Sequence, residues 1–285
     1  MSIVAGTGGT ADVCGRYVMA RATSDLVALG DAEANEDLVL RQSWNVAPTA
    51  EVPILVAHAD GVGAGVTRRI HVARWGLVPP WAKELSVGSR AFNARSETVA
   101  SKPTFRAAVR ARRCAVPVEG YYEWKTPEPG AKGPDGRAAK KQPYYVHPAG
   151  AGDGEGPVIW FAGLYEWWQD PEAKAAGEDA WVLSTTILTM AAPDADDDDP
   201  VLAALGQLHD RLPVPMDAET MDRWLAPDTL GSAEEADALV GQVCAGAYDV
   251  AAGWSLRPVG GAVGNVRNNG PELTQEMREQ QGTLL

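Results

Sequence analysis

EVPILVAHADGVGAGVTRRIHVARWGL, residues 51–77, decides the architecture. Glu51 to Ala59 and Ile70 to Leu77 are rich in β-branched residues, are bounded by Gly or Pro, and read as two strands. Outward from this pair, Cys114 to Val118 reads as a buried strand leading into a turn at Gly120, and Tyr144 to His147, Val158 to Tyr165 and Ala180 to Ile187 read as further strands. Helical patterns are scattered among them. A short helix runs from Ser24, its cap, to about Leu29, and another covers Thr104 to Arg113 with Phe105, Ala108 and Val109 on one side and arginines on the other. Asp217 to Leu225 and Ala233 to Val243 complete the set. Thr126 to Gln142, TPEPGAKGPDGRAAKKQ, is a hairpin loop with no core signal, and Pro193 to Pro200, with Asp194 and Asp196 to Asp199, reads as a flexible acidic insertion. Short strands and scattered helices without βαβ alternation predict an α+β fold in one domain.

An apolar fraction of 45% supports a sizeable core. No run of eighteen apolar residues exists, so no membrane-spanning helix is expected, and the N-terminus lacks the basic and apolar regions of a secretory signal. The three cysteines, Cys14, Cys114 and Cys244, are widely spaced without a CxxC pair, which argues against a disulfide framework or a zinc site and predicts a cytoplasmic protein. Net charge is −13 but unevenly spread. Residues 1–143 hold 19 basic and 14 acidic side chains, and residues 144–285 hold 6 and 24. Between 65 and 113 there are 11 basic residues against Glu84 and Glu97 alone. A local basic surface can grip phosphate on an acidic protein, because screening limits the reach of distant acids to roughly 8–10 Å.

No phosphate-cradling glycine loop, HExxH or GxSxG is present, and the four histidines are isolated, so neither metal nor cofactor is expected. His58 and His71 lie in strand-like runs, and His147 ends one; such histidines are ordinarily structural or surface residues. His209 differs, because QLHDRLPVPM flanks it with Asp210 and Arg211, and a neighbouring carboxylate orients an imidazole for proton transfer. Glu123 lies in EGYYEWK, among Tyr121, Tyr122 and Trp124, where desolvation suits a carboxylate to acid–base work; the bland alternative is a strand Glu facing solvent. FNARSET, 92–98, puts Asn93 and Arg95 on one side of an extended segment and Ser96 and Thr98 on the other; a capped turn is the alternative. Trp44, Trp75, Trp81 and Trp124 stand near Asn45, Arg74, Lys83 and Lys125, the interleaving of aromatic and cation that stacks single-stranded nucleic acid. Core packing is the commoner fate of any one Trp.

Together these strings resemble the SRAP family, the SOS-response-associated peptidases or abasic-site-processing proteins. The matching strings are CGRY at 14–17, WNVAPT at 44–49, RWGLVPPWAK at 74–83, FNARSET at 92–98, RRCAVPVEGYYEWK at 112–125, PYYV at 143–146, FAGLYEWW at 161–168, STTILT at 184–189, LHDRLPV at 208–214 and AVGNVRNNG at 262–270. They run in family order. The resemblance implies a strand-rich, barrel-like core with peripheral helices forming a groove for single-stranded DNA, in a domain spanning 14–270 followed by a tail at 271–285. It also implies a monomer that bonds covalently to abasic sites in single-stranded DNA, with replication-fork proteins as further partners and the nucleoid as its place of action. Carried over position by position, Cys14 is the nucleophile, and Asn93, Glu123 and His209 line the reaction site. Arg16, Asn45, Trp81, Arg95 and Thr185 are the DNA contacts. Two departures stand out. Some relatives place two aromatics where this chain has Trp81 followed by Ala82, and the acidic loop before His209 is longer than usual.

A cysteine at a true N-terminus carries an amine and a thiol on adjacent carbons. The amine condenses with the aldehyde of a ring-opened abasic sugar, and the thiol closes a thiazolidine. As written, Cys14 is preceded by MSIVAGTGGTADV, a glycine-bearing lead with no apolar periodicity, and its amine is in a peptide bond. Initiation at codon 13 with removal of the initiator Met, or self-cleavage after Val13, would expose it. A diverged protein without this chemistry is the third reading. The competing functions are a cysteine peptidase using Cys14 and His209, with Glu123 or Asp210 as orienter, and a non-enzymatic single-strand binder.

Overall fold

A computed structural model describes residues 15–61, 65–133, 135–150 and 156–277. The lead, 1–13, and Cys14 lie outside the described residues. In chain order the elements are β1 (Tyr17–Met19), α1 (Thr23–Gly30), β2 (Ser43–Val46), β3 (Glu51–Ala59), β4 (Val66–Trp75), β5 (Asn93–Arg95), α2 (Arg106–Ala111), β6 (Arg113–Val118), β7 (Gly120–Lys125) and β8 (Gln142–Pro148). There follow β9 (Ile159–Gln169), α3 (Pro171–Ala175), β10 (Trp181–Ala191), α4 (Pro200–Leu208), β11 (Arg211–Pro213), β12 (Pro215–Met216), α5 (Ala218–Leu225), α6 (Ala233–Ala245), α7 (Ala247–Ala251) and β13 (Trp254–Pro258).

The strand pair read from residues 51–77 forms one wall of a closed barrel. β3 and β4 pair antiparallel from Glu51↔Arg74 to Ala59↔Val66, and Leu55↔Ala115 adds β6. β6 pairs with β9, β9 with β10, and β10 closes the ring by a parallel contact with β4 at Ser184↔Arg74 and Thr185↔Trp75. Closure leaves these strands without open edges. A second antiparallel sheet, in the order β13-β8-β7-β1-β2, packs on the barrel through an aromatic seam. Between ring centroids, Tyr17 lies 4.9 Å from Trp75, and Phe161 lies 5.9 Å from Tyr121 and 6.4 Å from Trp254. Such pairs add about 0.5–1.5 kcal/mol each beyond their burial.

In α5 the residues Thr220, Met221, Trp224 and Leu225 form the buried stripe, and the Trp224 indole N–H donates to the Cys114 and Gly163 carbonyls at 3.0 and 3.2 Å. Asp217 caps this helix by accepting from Thr220 N at 2.7 Å. That hydrogen bond holds the Asp217 carboxyl below its ordinary range.

The expected α+β class and barrel-like core hold, and several local readings change. Ser24 is not the cap of α1; Ala22 occupies that position without a side-chain bond, while the Thr23 hydroxyl donates to Leu38 O. α2 is shorter than expected because Arg113 turns into β6, buried, with its guanidinium donating to the Trp224, Val109, Arg110 and Asp228 carbonyls. The acidic run 193–200 is folded rather than loose: Asp199 accepts from Val201 N and Leu202 N at the start of α4, an unexpected helix. Packing also runs past residue 270. Leu273 is buried in the cluster of Val18, Tyr122, Tyr145, Val259 and Val263 on the outer face of the second sheet.

Candidate nucleic-acid interface

The site is built where the second sheet meets the barrel. β1 pairs with β7 at Tyr17↔Tyr121, and Arg16 O accepts from Tyr122 N at 2.9 Å. Glu123 is the next residue of β7, so the chain leaving β1 through Gly15 heads alongside it. Glu123 is 5% exposed, and one carboxylate oxygen accepts from Trp124 N at 3.0 Å. A solvent-facing strand Glu is therefore excluded.

Arg16 and Asn45 are brought together but as a structural knot. Arg16 Nη1 donates to Asn45 Oδ1 at 2.9 Å and to Val263 O at 2.7 Å. The Asn45 amide nitrogen, buried, donates to the Val263, Asn265 and Asn268 carbonyls at 3.2, 3.1 and 2.9 Å. Asn269 Oδ1 accepts from Trp44 N at 2.7 Å. The strings WNVAPT and AVGNVRNNG are thus two halves of one network, and Asn45 organises the surface rather than reaching beyond it. Burial lowers the basicity of Arg16. Around the knot lies a cleft of about 780 Å³ whose lining includes Arg41, Ser43, Pro48, Thr49, Arg267 and Asn269. Arg41 and Arg267 escaped the sequence reading; the only signal was a lone cation beside each half of the network.

β10 assembles the second half of the site. β5 runs parallel to it at Ile187↔Asn93 and Thr189↔Arg95, and β11 pairs at Ala191↔Arg211. Ala94 is fully buried, so Asn93 and Arg95 share the opposite side, as the extended reading of FNARSET expects, and Arg95 is exposed. Ser96 to Ala100 form turns, so the alternation ends at Arg95. His209 follows α4, which packs on β7, the strand of Glu123. The His209 side chain is only 10% exposed, with Nδ1 2.8 Å from Asp210 Oδ1 and 3.0 Å from Arg211 N. A proton on Nδ1 is donated to the Asp210 carboxylate and leaves Nε2 as the basic nitrogen; without it, Nδ1 accepts from Arg211 N.

Trp81 stands 62% exposed, the right state for a stacking platform. Its loop is shaped by Gly76, at φ 132°, where an added Cβ would lie 2.5 Å from Gly88 O. Ala82 is buried, and the Trp168 indole N–H donates to its carbonyl at 2.8 Å. β9 thus fills the space beside Ala82.

Two expectations need correction. Thr185 is fully buried in the barrel wall, where its hydroxyl donates to Leu164 O at 2.9 Å, so it is not a surface contact. The basic run 65–113 is structural only in part: Arg68 pairs with Asp222 and Arg112 with Glu166, Arg74 and Arg110 bond backbone carbonyls, and Arg69 pairs with Glu33 at the exposed surface. Lys83, Arg90, Arg95, Lys102 and Arg106 remain exposed.

The fold and this site define a protein class. Residues 13–266 match the family model "SOS response associated peptidase (SRAP)", and the chain belongs to that family. Among curated relatives, the abasic site processing protein YoqW of Bacillus subtilis is 30% identical over 268 residues, covering 92% of this chain and 99% of that protein. The abasic site processing protein HMCES of Rattus norvegicus is 27% identical, covering 81% of this chain and 64% of its own. A crystal structure of a protein from Bacteroides thetaiotaomicron superimposes with a TM-score of 0.66 at 20% identity, covering 93% of this chain and all of that one.

Proposed function

We propose that this protein binds single-stranded DNA and captures abasic sites covalently through Cys14, with its amine freed of residues 1–13. The β1–β7 register carries the reading, because it leads the residue next to Cys14 alongside the buried carboxylate of Glu123. The abasic site processing names of the relatives support the substrate.

The chemistry follows from the residues. An α-amine of pKa about 7.7–8.0 is unprotonated far more often at neutral pH than a lysine of about 10.4. It adds to the sugar aldehyde and loses water to give an imine. The thiol then adds to the imine carbon, its proton passing to nitrogen, and a five-membered thiazolidine closes. Glu123 moves protons in the addition and dehydration steps. His209, oriented by Asp210, assists ring opening of the sugar and, in reverse, release. Asn93 holds the amine or the opened sugar by hydrogen bonds. Trp81 stacks on a flanking base, and Arg95, Arg41 and Arg267 hold phosphates.

The test is a denaturing gel of abasic single-stranded oligonucleotide with protein beginning at Cys14 and with the 285-residue chain. A heat-stable shifted band is expected for the first. Intact mass of native protein reports whether residues 1–13 are gone. No band from the Cys14-initiated protein sinks the covalent reading.

A second reading rests on the short His209–Asp210 contact, an orienting pair for a thiol nucleophile. A cysteine peptidase needs no free amine, so it predicts peptide cleavage by the extended chain, whereas covalent capture predicts that this form is inert toward abasic DNA.

A further inference from the structure

Histidines 58 and 71 are isolated in sequence, yet the barrel brings them together. β3 pairs with β4 at Ile54↔His71 and His58↔Thr67, so both rings lie on one face of the hairpin. Their Nε2 atoms are 3.1 Å apart, with the rings edge-on at 62°. Two nitrogens bound to one cation at about 2.0–2.1 Å are separated by about 2.9–3.4 Å across octahedral to tetrahedral angles. The separation of the pair therefore matches a chelating bite.

The surroundings tolerate a cation. Arg69 shares the face, but its Nε lies 3.4 Å from Glu33 Oε2. The Asp60 carboxylate accepts from the Thr67 hydroxyl, directly across from His58. Glu33 thus offsets the Arg69 guanidinium, and the Asp60 carboxylate lies close enough to act on His58. Burial, then Arg69, lowers the basicity of His58; burial, then His58 and Arg69, lowers that of His71.

We propose that His58 and His71 form a two-imidazole site for a borderline divalent transition-metal cation, with water completing the shell and Asp60 as an outer hydrogen-bond acceptor. No group of three or more His, Cys, Asp or Glu gathers among the described residues, so this is a two-ligand site. The lining of the nucleic-acid cleft ends on β3 at Pro53, whose side chain takes the opposite face of the strand from Ile54, the register partner of His71. A bound cation ties β3 to β4 and stabilises the barrel by mass action.

The test uses the full chain carrying Cys14→Ala, which removes one competing thiol. It is titrated with NiCl2 and with CuCl2 by calorimetry and thermal unfolding. One-to-one binding, tighter for copper than nickel, and a rise in Tm are expected. Copper(II) should give an EPR hyperfine pattern from two nitrogen ligands. His58→Gln and His71→Gln should each weaken binding at least about tenfold. Unchanged Tm values in chelator report that both variants are folded, and either one alone suffices if the other is not. Equal affinity in wild type and the folded variant overturns the site. So does absence of binding at about 1 mM metal, which would leave the pair as a plain imidazole–imidazole hydrogen bond.

Discussion

Arg211 grips the Glu97 carboxylate with both terminal guanidinium nitrogens, Nη2 to Oε2 at 2.9 Å, and the same Nη2 donates to Thr189 O at 2.8 Å. Arg211 follows His209 by two residues and Glu97 follows Asn93 by four. The pair therefore ties the two loops of the site to each other and to β10. Bidentate charge-assisted contacts of this kind fix geometry as well as adding energy. Glu97→Ala is expected to slow covalent capture of abasic DNA by about tenfold, since small misplacements of reacting groups are costly. Affinity for undamaged strands should stay within about twofold, because no phosphate contact is removed. Single-turnover gels and fluorescence anisotropy at matched ionic strength separate the two, and equal losses in both would reject the clamp.

The same contact has a pH signature. The hydrogen bond from Arg211, first among several causes, lowers the Glu97 pKa against the opposing effect of burial. A depressed folded pKa contributes stability that is fully present above the unfolded value, about 4.3, and is lost as pH falls through the folded one. Wild type should therefore lose a small increment of stability below about pH 4.3 that Glu97→Gln lacks. The increment is small because the carboxylate is 50% exposed. Urea midpoints from pH 6 to pH 3 provide the comparison.

Much of the barrel was legible because its strands carry their burial in their sequence. The sequence bounds of Glu51–Ala59 coincide with β3, and Asp217 opens α5 as its cap. Two of the strands that escaped have partners far away in sequence: β1 and β5 are three residues long and are held by β7 and β10. The same holds for the site. Glu123 and FNARSET announced themselves by local composition, whereas the role of Asn45 is defined by carbonyls about 220 residues away, and no local pattern encodes that. The arginine-rich run misled for a related reason: charge counts do not distinguish a guanidinium that faces solvent from one that, like Arg113, satisfies buried carbonyls.

Asn45 therefore offers a clean discrimination between structural and contact roles. Asn45→Ala leaves the Val263, Asn265 and Asn268 carbonyls and the Arg16 guanidinium short of a partner. Each unsatisfied buried group costs about 1–3 kcal/mol, so a loss of at least about 2 kcal/mol is expected. A DNA contact at the rim would instead leave stability unchanged and weaken binding alone. Urea unfolding decides this before any DNA is added.

Trp81 and Ala82 test how the chain manages with one aromatic at the exposed tip. Trp81 is exposed and Ala82 is buried, with Trp168 bonded to the Ala82 carbonyl. Trp81→Ala removes a stacking face worth about 1–3 kcal/mol per base, so affinity for single strands should fall by roughly 5- to 150-fold with Tm unchanged. Ala82→Trp has the opposite signature. A ring at 82 collides with the packing of Val78, Ala82 and Trp168, and overpacking of this kind costs about 1–3 kcal/mol. The variant should be less stable and gain no affinity. If Ala82→Trp were instead stable and bound single strands more tightly, the tip would have room for a second aromatic, and the single tryptophan would not be imposed by Trp168.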